Sequence, residues 1–558
     1  MKNIESEASV ARRQRNLDTL RERHFLAPGG HNLEFLLQLI RQSLINVIQH
    51  EGNGPVFPVY GSKSLTEVRD GAKIPKALED DPLRLLSNLP ESMQGCVKAN
   101  NPYLAKNIIP VPSLVHLATN LAVSLYMPNA VTGEDAADVL NAEIACASAI
   151  SKLAGYDERQ SAGLFTFGGT GTNFYGFKMG IYKVAPEHGM EGVPKDIVII
   201  GSKPSHYSHQ TGANWLGIGQ NNYLQVRSNL DQTTKLDELE QACRKAIEQE
   251  KKIACIEAVG GTTSNMAIDD FEAIYEMRER LVQEYGMDYR PHIHADAVLG
   301  WAYLNFVHYD FEQNTLGFSP NVILRLQKIL SRISKLKFVD SFGVDFHKTG
   351  FMPYVSSMVL VKEKNDLGKL RRDGNIMTPL FHDEEAYNPG TFSLETSRSA
   401  ANILATWYGL QAIGQEGYQT LLGHSLEMSE HMRKELAHHT QSGLYVVNRE
   451  PFGCDIFVRA YPAGTNVCAT FESELRLDEP LGKNNGYTSK FAKWLFANRV
   501  HTDEGISISK SSAAFYSHTG KPVIALRIYP LNPYIDQLSA TTLIHRLVKA
   551  KNDFDAQL

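Results

Sequence analysis

Residues 253–299, IACIEAVGGTTSNMAIDDFEAIYEMRERLVQEYGMDYRPHIHADAVL, decide the fold of this chain. Apolar runs at Ile253–Val259 and Ile293–Leu299 predict two strands. The segment Asp269–Tyr285 between them predicts a helix, because one helical face would carry Phe271, Ile274, Leu281, Val282 and Tyr285. A strand, a helix and a strand at this spacing form a βαβ unit, whose strands are parallel and covered by helices. Ligands of such sheets bind where the strands end, so we expect the functional polar motifs there.

Strand-like runs continue on both sides of this unit, at Ile197–Gly201, Phe338–Val344 and Met358–Lys362. We therefore predict a large α/β domain over residues 121–410 with a mainly parallel central sheet.

The two ends of the chain have a different character. A long helix at Gly417–His439, followed by strands such as Val523–Tyr529, predicts a small C-terminal α+β domain over residues 411–558. Residues 1–120 predict an N-terminal arm and dimerisation segment. Its helix Asn32–His50 repeats apolar residues at three- and four-residue spacing, so this face packs either on a second copy of the chain or on its own domain.

The composition of the 558 residues excludes several classes of protein. Hydrophobic residues make up 43% and charged residues 21%, which is ordinary globular usage and not that of a disordered chain. Against 62 Asp and Glu there are 56 Lys and Arg, a net charge of −6. This charge gives no reason to expect binding to nucleic acid or to an anionic membrane.

The cysteines and the first residues bear on the compartment. No two of the six cysteines have C-x-x-C spacing, so we expect free thiols in a reducing compartment. The first residues, MKNIESEASVARRQRN, are too polar for a secretory signal, and no apolar run approaches the roughly 18 residues that span a bilayer. We expect a cytoplasmic protein.

Three polar clusters follow strand-like runs. In Phe167–Asn173 (FGGTGTN), glycines and Thr170 precede a helical stretch and could hold a phosphate, although the motif matches neither GxGxxG nor a P-loop and a plain turn remains open. Ser205–Gln210 (SHYSHQ) offers a histidine that could stack on a ligand ring, move protons or be structural. Gly260–Ser264 (GGTTS) offers hydroxyl donors or simply a turn.

Two ionisable residues accompany apolar strands, where an unpaired charge is costly. Asp296 stands within Ile293–Gly300 (IHADAVLG), and Lys348 ends DFHK after FVDSFGV. Pyridoxal 5'-phosphate chemistry needs both groups: a carboxylate at the protonated ring nitrogen and a lysine that forms a Schiff base with the aldehyde. Desolvation would favour the deprotonated lysine that this reaction requires.

The order GGT, SHYS, GTT, HADA and DFHK resembles the group II pyridoxal-phosphate-dependent amino acid decarboxylases. HKTGFMPY is most similar to their bacterial tyrosine decarboxylase branch, and the resemblance covers about residues 95–430. It implies a fold type I, aspartate aminotransferase-like homodimer with its active site at the subunit interface. It also implies a lyase that decarboxylates an L-amino acid to the amine and carbon dioxide. An aromatic substrate such as tyrosine is favoured, and an acidic one is possible.

The resemblance implies a role for each matching residue. Lys348 would carry the cofactor as a Schiff base, and Asp296 would pair with the pyridine nitrogen. His206 would stack on the ring and assist proton transfer. The other cofactor-binding residues implied are Gly169, Thr170 and His347 at the phosphate, Thr263 near the ring, and Asp345 three residues before the lysine.

Some positions depart from the family pattern. Val298 stands where alanine is usual and is expected to crowd one face of the cofactor ring. Trp301 stands where glycine is common, and Gly171-Thr172 stands where Glu-Ala is common.

The proton donor is a further departure. Many members carry a loop tyrosine that protonates the substrate carbon after carbon dioxide leaves, but Pro379 stands near its place. We hypothesise that Tyr387 takes this role, with His206 and His382 as the other candidates. Without such a donor the outcome would be oxidative decarboxylation-deamination to an aldehyde, or carbon–carbon cleavage.

Two other classes of protein compete with this interpretation. His292 and His294 precede Asp296 in HIHAD, and an H-x-H on a strand can begin the metal site of an amidohydrolase. That alternative leaves Lys348 unexplained and lacks an eight-fold β/α alternation. An inactive binding scaffold would have no use for the pair of Asp296 and Lys348.

Overall fold

The structure is a computed structural model that describes residues 2–61, 63–372, 387–500 and 504–558. The chain divides into two compact units. The smaller unit comprises Met1–Leu104 and Leu495–Ser507, and the larger comprises Ala105–Trp494 and Ile508–Leu558. The domain boundaries at residues 120 and 410 stay a prediction.

The strands and helices are numbered in chain order. The strands are β1 Leu104–Ala105, β2 Ala162–Thr166, β3 Ile197–Ser202, β4 Tyr223–Val226, β5 Lys252–Val259, β6 His292–Asp296, β7 Ser341–Asp345, β8 Ser357–Val361, β9 Leu444–Val446, β10 Ile456–Ala460, β11 Ser507–Tyr516 and β12 Pro522–Ile528. The helices are α1 Lys2–Arg23, α2 Leu33–His50, α3 Leu65–Gly71, α4 Pro82–Leu86, α5 Leu89–Ser92, α6 Leu114–Ser124, α7 Gly133–Ala136, α8 Asn141–Ala154, α9 Gly169–Val184, α10 His188–Glu191, α11 Ser208–Trp215, α12 Leu236–Glu248, α13 Phe271–Glu284, α14 Pro320–Ile333, α15 Lys364–Gly368, α16 Ala400–Ala437, α17 Val467–Glu474, α18 Asp478–Asn498 and α19 Gln537–Asp555.

A seven-stranded sheet forms the centre of the larger unit, in the order β2-β8-β7-β6-β5-β3-β4. The strands β4, β3, β5, β6 and β7 are parallel to their neighbours, whereas β8 is antiparallel to both β7 and β2. The prediction of an α/β fold with a mainly parallel sheet is therefore confirmed. β8 runs the other way because a short loop, and no crossover helix, joins it to β7.

The predicted βαβ unit is present as β5, α13 and β6, and β5 and β6 pair in parallel. The strand predicted to reach Leu299 nevertheless ends at Asp296. Beyond it the amide of Ala297 donates to the carbonyl of Ala295, and the amide of Gly300 donates to Gly260. The prediction that Asp296 lies inside a strand was wrong, because the chain turns directly after it and leaves it at the carboxyl end of β6.

Two other elements begin at residues that differ from the prediction. The strand predicted from Phe338 begins at Ser341, because residues 334–338 form a 3-10 turn. The helix α16 begins at Ala400, earlier than the predicted Gly417, and has one non-helical residue at Gly414, whose φ is 64°.

The second sheet of the larger unit lies in the C-terminal part of the chain. Its strands β11, β12, β10 and β9 lie side by side and are antiparallel. Together with α17 and α19 they form the predicted small α+β part.

The smaller unit is helical. Its helix α1 was not predicted, because its sequence is polar and shows no apolar periodicity. Helix α2 was predicted to within one residue, and none of its residues is buried. No helix among the described residues is long and apolar enough to span a bilayer.

Candidate active site

A cavity of about 360 Å³ opens at the carboxyl ends of β5, β6 and β7. The predicted site residues meet there, with Tyr387 as the exception. The side chains and backbone that line it belong to Gly168, Gly169, Thr170, Ser205, His206, Tyr207, Ser208, Val259, Gly261, Thr262, Thr263, Asp296, Val298, Asp345, His347, Lys348, Tyr354 and Val355.

Asp296 is held at the floor of the cavity by three groups. Asn173 Nδ2 donates to its Oδ2 at 3.3 Å, and the amide of Val298 donates to its Oδ1 at 3.4 Å. His209 Nε2 lies 3.3 Å from the same Oδ2. Burial raises the pKa of the Asp296 carboxyl, but the charges of His209 and Lys348 lower it more, so this pKa lies below its ordinary value. Asp296 is therefore a carboxylate at neutral pH.

Lys348 follows β7 and faces Asp296 across the cavity. Its Nζ donates to Asp345 Oδ2 at 2.8 Å. Burial lowers the pKa of Lys348, but the carboxylates of Asp345 and Asp296 raise it more, so the net shift is upward. Desolvation does favour the deprotonated lysine, as expected, but the two carboxylates outweigh its effect on this pKa. Asp345 is itself fixed, since its Oδ1 accepts from Ser357 Oγ at 2.5 Å.

The glycine-rich turn forms a close-packed wall at the start of α9. Gly168 has a φ of 109°, and α9 begins at Gly169. A Cβ on Gly169 would lie 2.9 Å from Asp345 Oδ2 and 3.1 Å from Val298 Cγ1, so only glycine fits. The first amides of a helix have no intrahelical acceptor, so this turn can bind an anion.

The unusual Gly171-Thr172 pair has a packing role. A Cβ on Gly171 would lie 2.9 Å from Thr166 Cβ. Thr172 Oγ1 donates to the carbonyl of Gly169 at 2.8 Å, and its side chain fills the space beside Gly343. Both residues therefore brace the turn.

His206 lies on the wall of the cavity as a neutral ring. Its Nδ1 accepts from the amide of Ser208 at 3.2 Å, which leaves the ring proton on Nε2. Burial, with the nearby positive charge of Lys348, lowers its pKa to about 4, although Asp296 opposes this shift.

The remaining predicted cofactor residues also reach the cavity. His347 Nδ1 donates to the carbonyl of Ser356 at 2.8 Å, and its ring lies 4.5 Å from that of Tyr354. Thr263 lines the cavity, and its carbonyl accepts from Arg527 Nη1 at 2.6 Å.

Val298 and Trp301, the two other residues that depart from the family pattern, lie in or next to the cavity. Val298 lines the cavity, next to Gly169. Trp301 is fully buried below it, where Nε1 donates to the carbonyl of Asp345 at 3.2 Å and the ring packs edge-on against Phe346. This tryptophan therefore supports the end of β7.

Tyr387 does not line this cavity. Its hydroxyl donates to Glu143 Oε2 at 3.1 Å. Burial, and then the charge of Glu143, raise its pKa well above the ordinary value. Pro379 and His382 lie outside the described residues.

Three buried polar residues around Asp296 were missed from the sequence: Asn173, His209 and Glu257. Asn173 and His209 stood inside quoted motifs, but only their neighbours were assigned. Glu257 carries the same signal that identified Asp296, an acid in an apolar strand, and it is buried within β5.

The metal-hydrolase alternative finds no support in the geometry. His292 Nε2 and His294 Nδ1 lie 2.7 and 2.8 Å from one hydroxyl, Ser341 Oγ. His294 Nε2 contacts Asn173 Oδ1 at 3.1 Å, so the H-x-H pair is part of a hydrogen-bonded core. Among the described residues, the group whose ligand atoms lie close enough for a metal ion is that of Glu435, His439 and His545.

The donor set of the cavity fits pyridoxal 5'-phosphate. It contains an amine at Lys348, an ionised carboxylate at Asp296, and a helix start at Gly169 that a Cβ would obstruct. The histidines and carboxylates of the cavity are not among the described residues whose ligand atoms lie close enough together for a metal ion, whereas the amine, the carboxylate and the helix start match the aldehyde, ring nitrogen and phosphate of this cofactor.

Comparisons with known proteins agree with this geometry. An L-tyrosine decarboxylase of Enterococcus faecium is 26% identical over 270 residues, 44% of this chain and 43% of that protein. The acidic amino acid decarboxylase GADL1 of Bos taurus is 24% identical over 360 residues, 63% of each chain. The matches therefore span 43% and 63% of the length of these relatives, less than two thirds in both cases.

The fold is also similar to that of solved structures. The crystal structure of mouse CSAD in its apo form superposes with a TM-score of 0.73 at 18% identity, covering 93% of this chain and 99% of that one. The larger unit accordingly has the fold type I architecture. The pyridoxal-dependent decarboxylase conserved domain matches residues 70–454, more than half of the sequence. The chain therefore belongs to the pyridoxal-dependent decarboxylase family, whose cofactor is pyridoxal 5'-phosphate.

Proposed function

We propose that this protein removes the α-carboxylate of an L-amino acid as carbon dioxide and returns the amine. The substrate takes up one proton and yields one carbon dioxide and one amine. The observation that carries this proposal is that Lys348 and Asp296 face one cavity in a chain of this family.

Two charged residues have the central roles in this proposal. Lys348 would hold the cofactor through its aldehyde, with loss of one water, and Asp345 Oδ2, 2.8 Å from Nζ, would accept the proton that the amine loses. Asp296 pairs as a carboxylate with the ring nitrogen and keeps it protonated. When bound, pyridoxal 5'-phosphate supplies the electron sink that stabilises the negative charge left at the substrate Cα.

Further residues position the ring and the phosphate. Gly169 and Thr170 at the start of α9 hold the phosphate, with His347 beside them. His206 stacks on the ring as a neutral imidazole, whose Nε2–H assists proton transfer. Thr263 contacts the ring edge.

An aromatic substrate such as tyrosine is the substrate class that we favour. Among the described residues that line the cavity, Lys348 is the sole lysine or arginine, so an acidic side chain would meet no second strong cation. Tyr207, Tyr354 and Val355 offer apolar and aromatic surface instead. The tyrosine decarboxylase relative supports this choice, whereas the acidic decarboxylase relative keeps aspartate and glutamate as the alternative.

The fate of the substrate carbon is the open chemical point. Tyr387 can donate a proton only after its bond to Glu143 breaks. That bond favours one alternative outcome: with oxygen and water, the substrate carbon is oxidised and yields aldehyde, ammonia, carbon dioxide and hydrogen peroxide. Carbon–carbon cleavage is the other alternative.

We also propose a cytoplasmic homodimer with shared active sites. Helix α2 exposes an apolar face, with Leu37 47%, Leu44 57% and Ile48 61% accessible, which a second copy would cover. All six cysteines are free thiols, as in a reducing compartment.

A product assay tests the function. The purified protein with pyridoxal 5'-phosphate is incubated with each of the twenty amino acids, and carbon dioxide, amine, aldehyde and peroxide are quantified. We expect equal amounts of carbon dioxide and amine, highest for an aromatic substrate. Lys348→Ala is the control and should release neither. Aldehyde and peroxide as the main products would replace the decarboxylase by the oxidative alternative.

A further inference from the structure

A row of three buried ionisable side chains ends at Asp296. His209 Nε2 lies 3.3 Å from Asp296 Oδ2 and 3.6 Å from Glu257 Oε1. His209 is fully buried, and Glu257 is 1% exposed. Two carboxylates thus face one imidazole nitrogen in the interior of the protein.

The hydrogen bonds of the row fix where its protons lie. His209 Nδ1 is 2.7 Å from the carbonyl of His206, and a carbonyl only accepts, so Nδ1 carries a proton. A neutral ring would then point its Nε2 lone pair at two carboxylates. His209 Nε2 and Glu257 Oε1 are both buried without a hydrogen-bond partner, and a proton on Nε2 would lie between the two carboxylates.

Several residues pack around Glu257, which is the end of the row farthest from Asp296. Glu257 Oε2 accepts from Ser205 Oγ at 2.7 Å and from Tyr223 Oη at 3.0 Å. Gly201 on the neighbouring β3 has no side chain, and a Cβ there would collide with the Glu257 carboxylate and lie 2.8 Å from Tyr223 Oη. Three residues, Ser205, Tyr223 and Gly201, therefore accommodate this one carboxylate.

The stability of the fold does not by itself explain why three ionisable side chains are buried in this row. Apolar residues of similar volume commonly match or exceed the stability of a buried ion pair, because two charges must be desolvated. The other buried residues of β5 are apolar, so a hydrophobic residue at 257 would suit the strand.

We propose that His209 and Glu257 are positioning residues for Asp296: Glu257 and the carbonyl of His206 orient the ring of His209, and His209 holds the carboxylate of Asp296 toward the cavity. This inference rests on the proposed function, because Asp296 is taken as the partner of the cofactor ring. The other groups that face the row are Tyr223, Ser205, Asn173 and, across the cavity, Lys348. Neither His209 nor Glu257 touches the substrate or the cofactor in this scheme.

A double-mutant cycle on cofactor affinity tests the pair. The dissociation constant of pyridoxal 5'-phosphate is measured by absorbance for the wild type, Glu257→Gln, Asp296→Asn and the double variant. Glutamine keeps an acceptor oxygen for the hydroxyls of Ser205 and Tyr223 but removes the charge. We expect Glu257→Gln to raise the dissociation constant about tenfold in the wild-type background and less than about twofold in the Asp296→Asn background, because a residue that acts through Asp296 has no effect without it.

Glu474→Gln is the matched control. Glu474 is also a fully buried glutamate with a charged partner, Arg459, but it belongs to the second sheet region. Glu474→Gln should lower the melting temperature. It should leave the dissociation constant of the cofactor within about twofold in both the wild-type and the Asp296→Asn backgrounds. If Glu257→Gln does not fold, His209→Gln replaces it and must show the same dependence on Asp296.

The outcomes separate this inference from the proposed function. An effect of Glu257→Gln that is absent, or equal in both backgrounds, overturns the positioning pair while Asp296 keeps its role. An Asp296→Asn variant with wild-type cofactor affinity overturns the role of Asp296 and the pair with it.

Discussion

At the scale of single residues, the charges of the cavity depend on burial and on partners. Asp296 stays ionised because the cations around it outweigh the cost of burial. His206 stays neutral because burial outweighs the carboxylate near it. The carboxylate of Asp296, the amine of Lys348 and the neutral ring of His206 therefore line one cavity.

Asp296→Asn should lower kcat/KM by about 10²–10³-fold, because the neutral amide no longer stabilises a protonated ring nitrogen. Steady-state kinetics with the preferred amino acid measure this. Asp288→Asn, at an exposed position, is the control and should leave kcat/KM unchanged. Near-normal turnover of Asp296→Asn would remove the carboxylate from the mechanism.

Tyr387→Phe tests the hypothesised proton donor. If Tyr387 leaves Glu143 and donates during turnover, its loss should lower amine formation about 10²-fold and raise aldehyde and peroxide. Products are quantified under air and under nitrogen. An unchanged rate and product ratio would exclude Tyr387 as the donor.

At the scale of elements, the site is assembled where strand ends meet a helix start. β6 ends at Asp296, β7 ends at Asp345, and α9 begins at Gly169. One close contact among them lies at Gly169, whose missing side chain lets the helix start approach Asp345.

Gly169→Ala should therefore weaken cofactor binding by about 1–3 kcal/mol, because the new methyl group overlaps Asp345 and Val298 and must displace them. Equilibrium titration with pyridoxal 5'-phosphate measures this. Gly482→Ala in α18 is the matched control, because a Cβ there would meet no atom within 4 Å. Equal affinities of the two variants would mean that this turn does not contact the cofactor.

The order and type of the elements around the site were predictable, whereas their ends were not. Apolar runs identified β5 and β6, and helical periodicity identified α13, since burial imposes these patterns. Helical periodicity also identified α2, although none of its residues is buried within this chain. The end of β6 at Asp296 depends on the bond between Gly300 and Gly260, which a local pattern does not contain. The partners His209 and Glu257 come from different elements, so only the folded sheet brings them together.

At the scale of the whole molecule, two properties can be measured without substrate. Twice the chain mass of 62.2 kDa is expected by light scattering if two copies associate. Leu44→Glu with Ile48→Glu should shift the mass toward one chain, because the exposed face of α2 would carry charge. Ile74→Glu, at a position 94% exposed outside this face, is the control. A wild-type protein with the mass of one chain would contradict the homodimer.

Acid should destabilise the fold through buried neutral histidines. Burial lowers the pKa of His294 to about 3, and an unfolded histidine titrates near 6.5, so the unfolded chain binds the proton first. The stability that neutral His294 provides is complete above pH 6.5 and is lost as the pH falls toward 3, by up to about 1.4 kcal/mol per pH unit. The melting temperature should therefore fall less between pH 7 and pH 5 in His294→Gln than in the wild type. If the melting temperatures of the wild type and His294→Gln fell equally between pH 7 and pH 5, His294 would not be neutral in the folded state.

The most direct test of the account is the covalent position of the cofactor. The protein is loaded with pyridoxal 5'-phosphate, reduced with borohydride, digested and mapped by mass spectrometry. We predict one phosphopyridoxyl group per chain, on the peptide that contains Lys348, and none in Lys348→Ala. A label on another lysine, or no label in a protein that turns over amino acids, would contradict the assignment of this cavity as the active site.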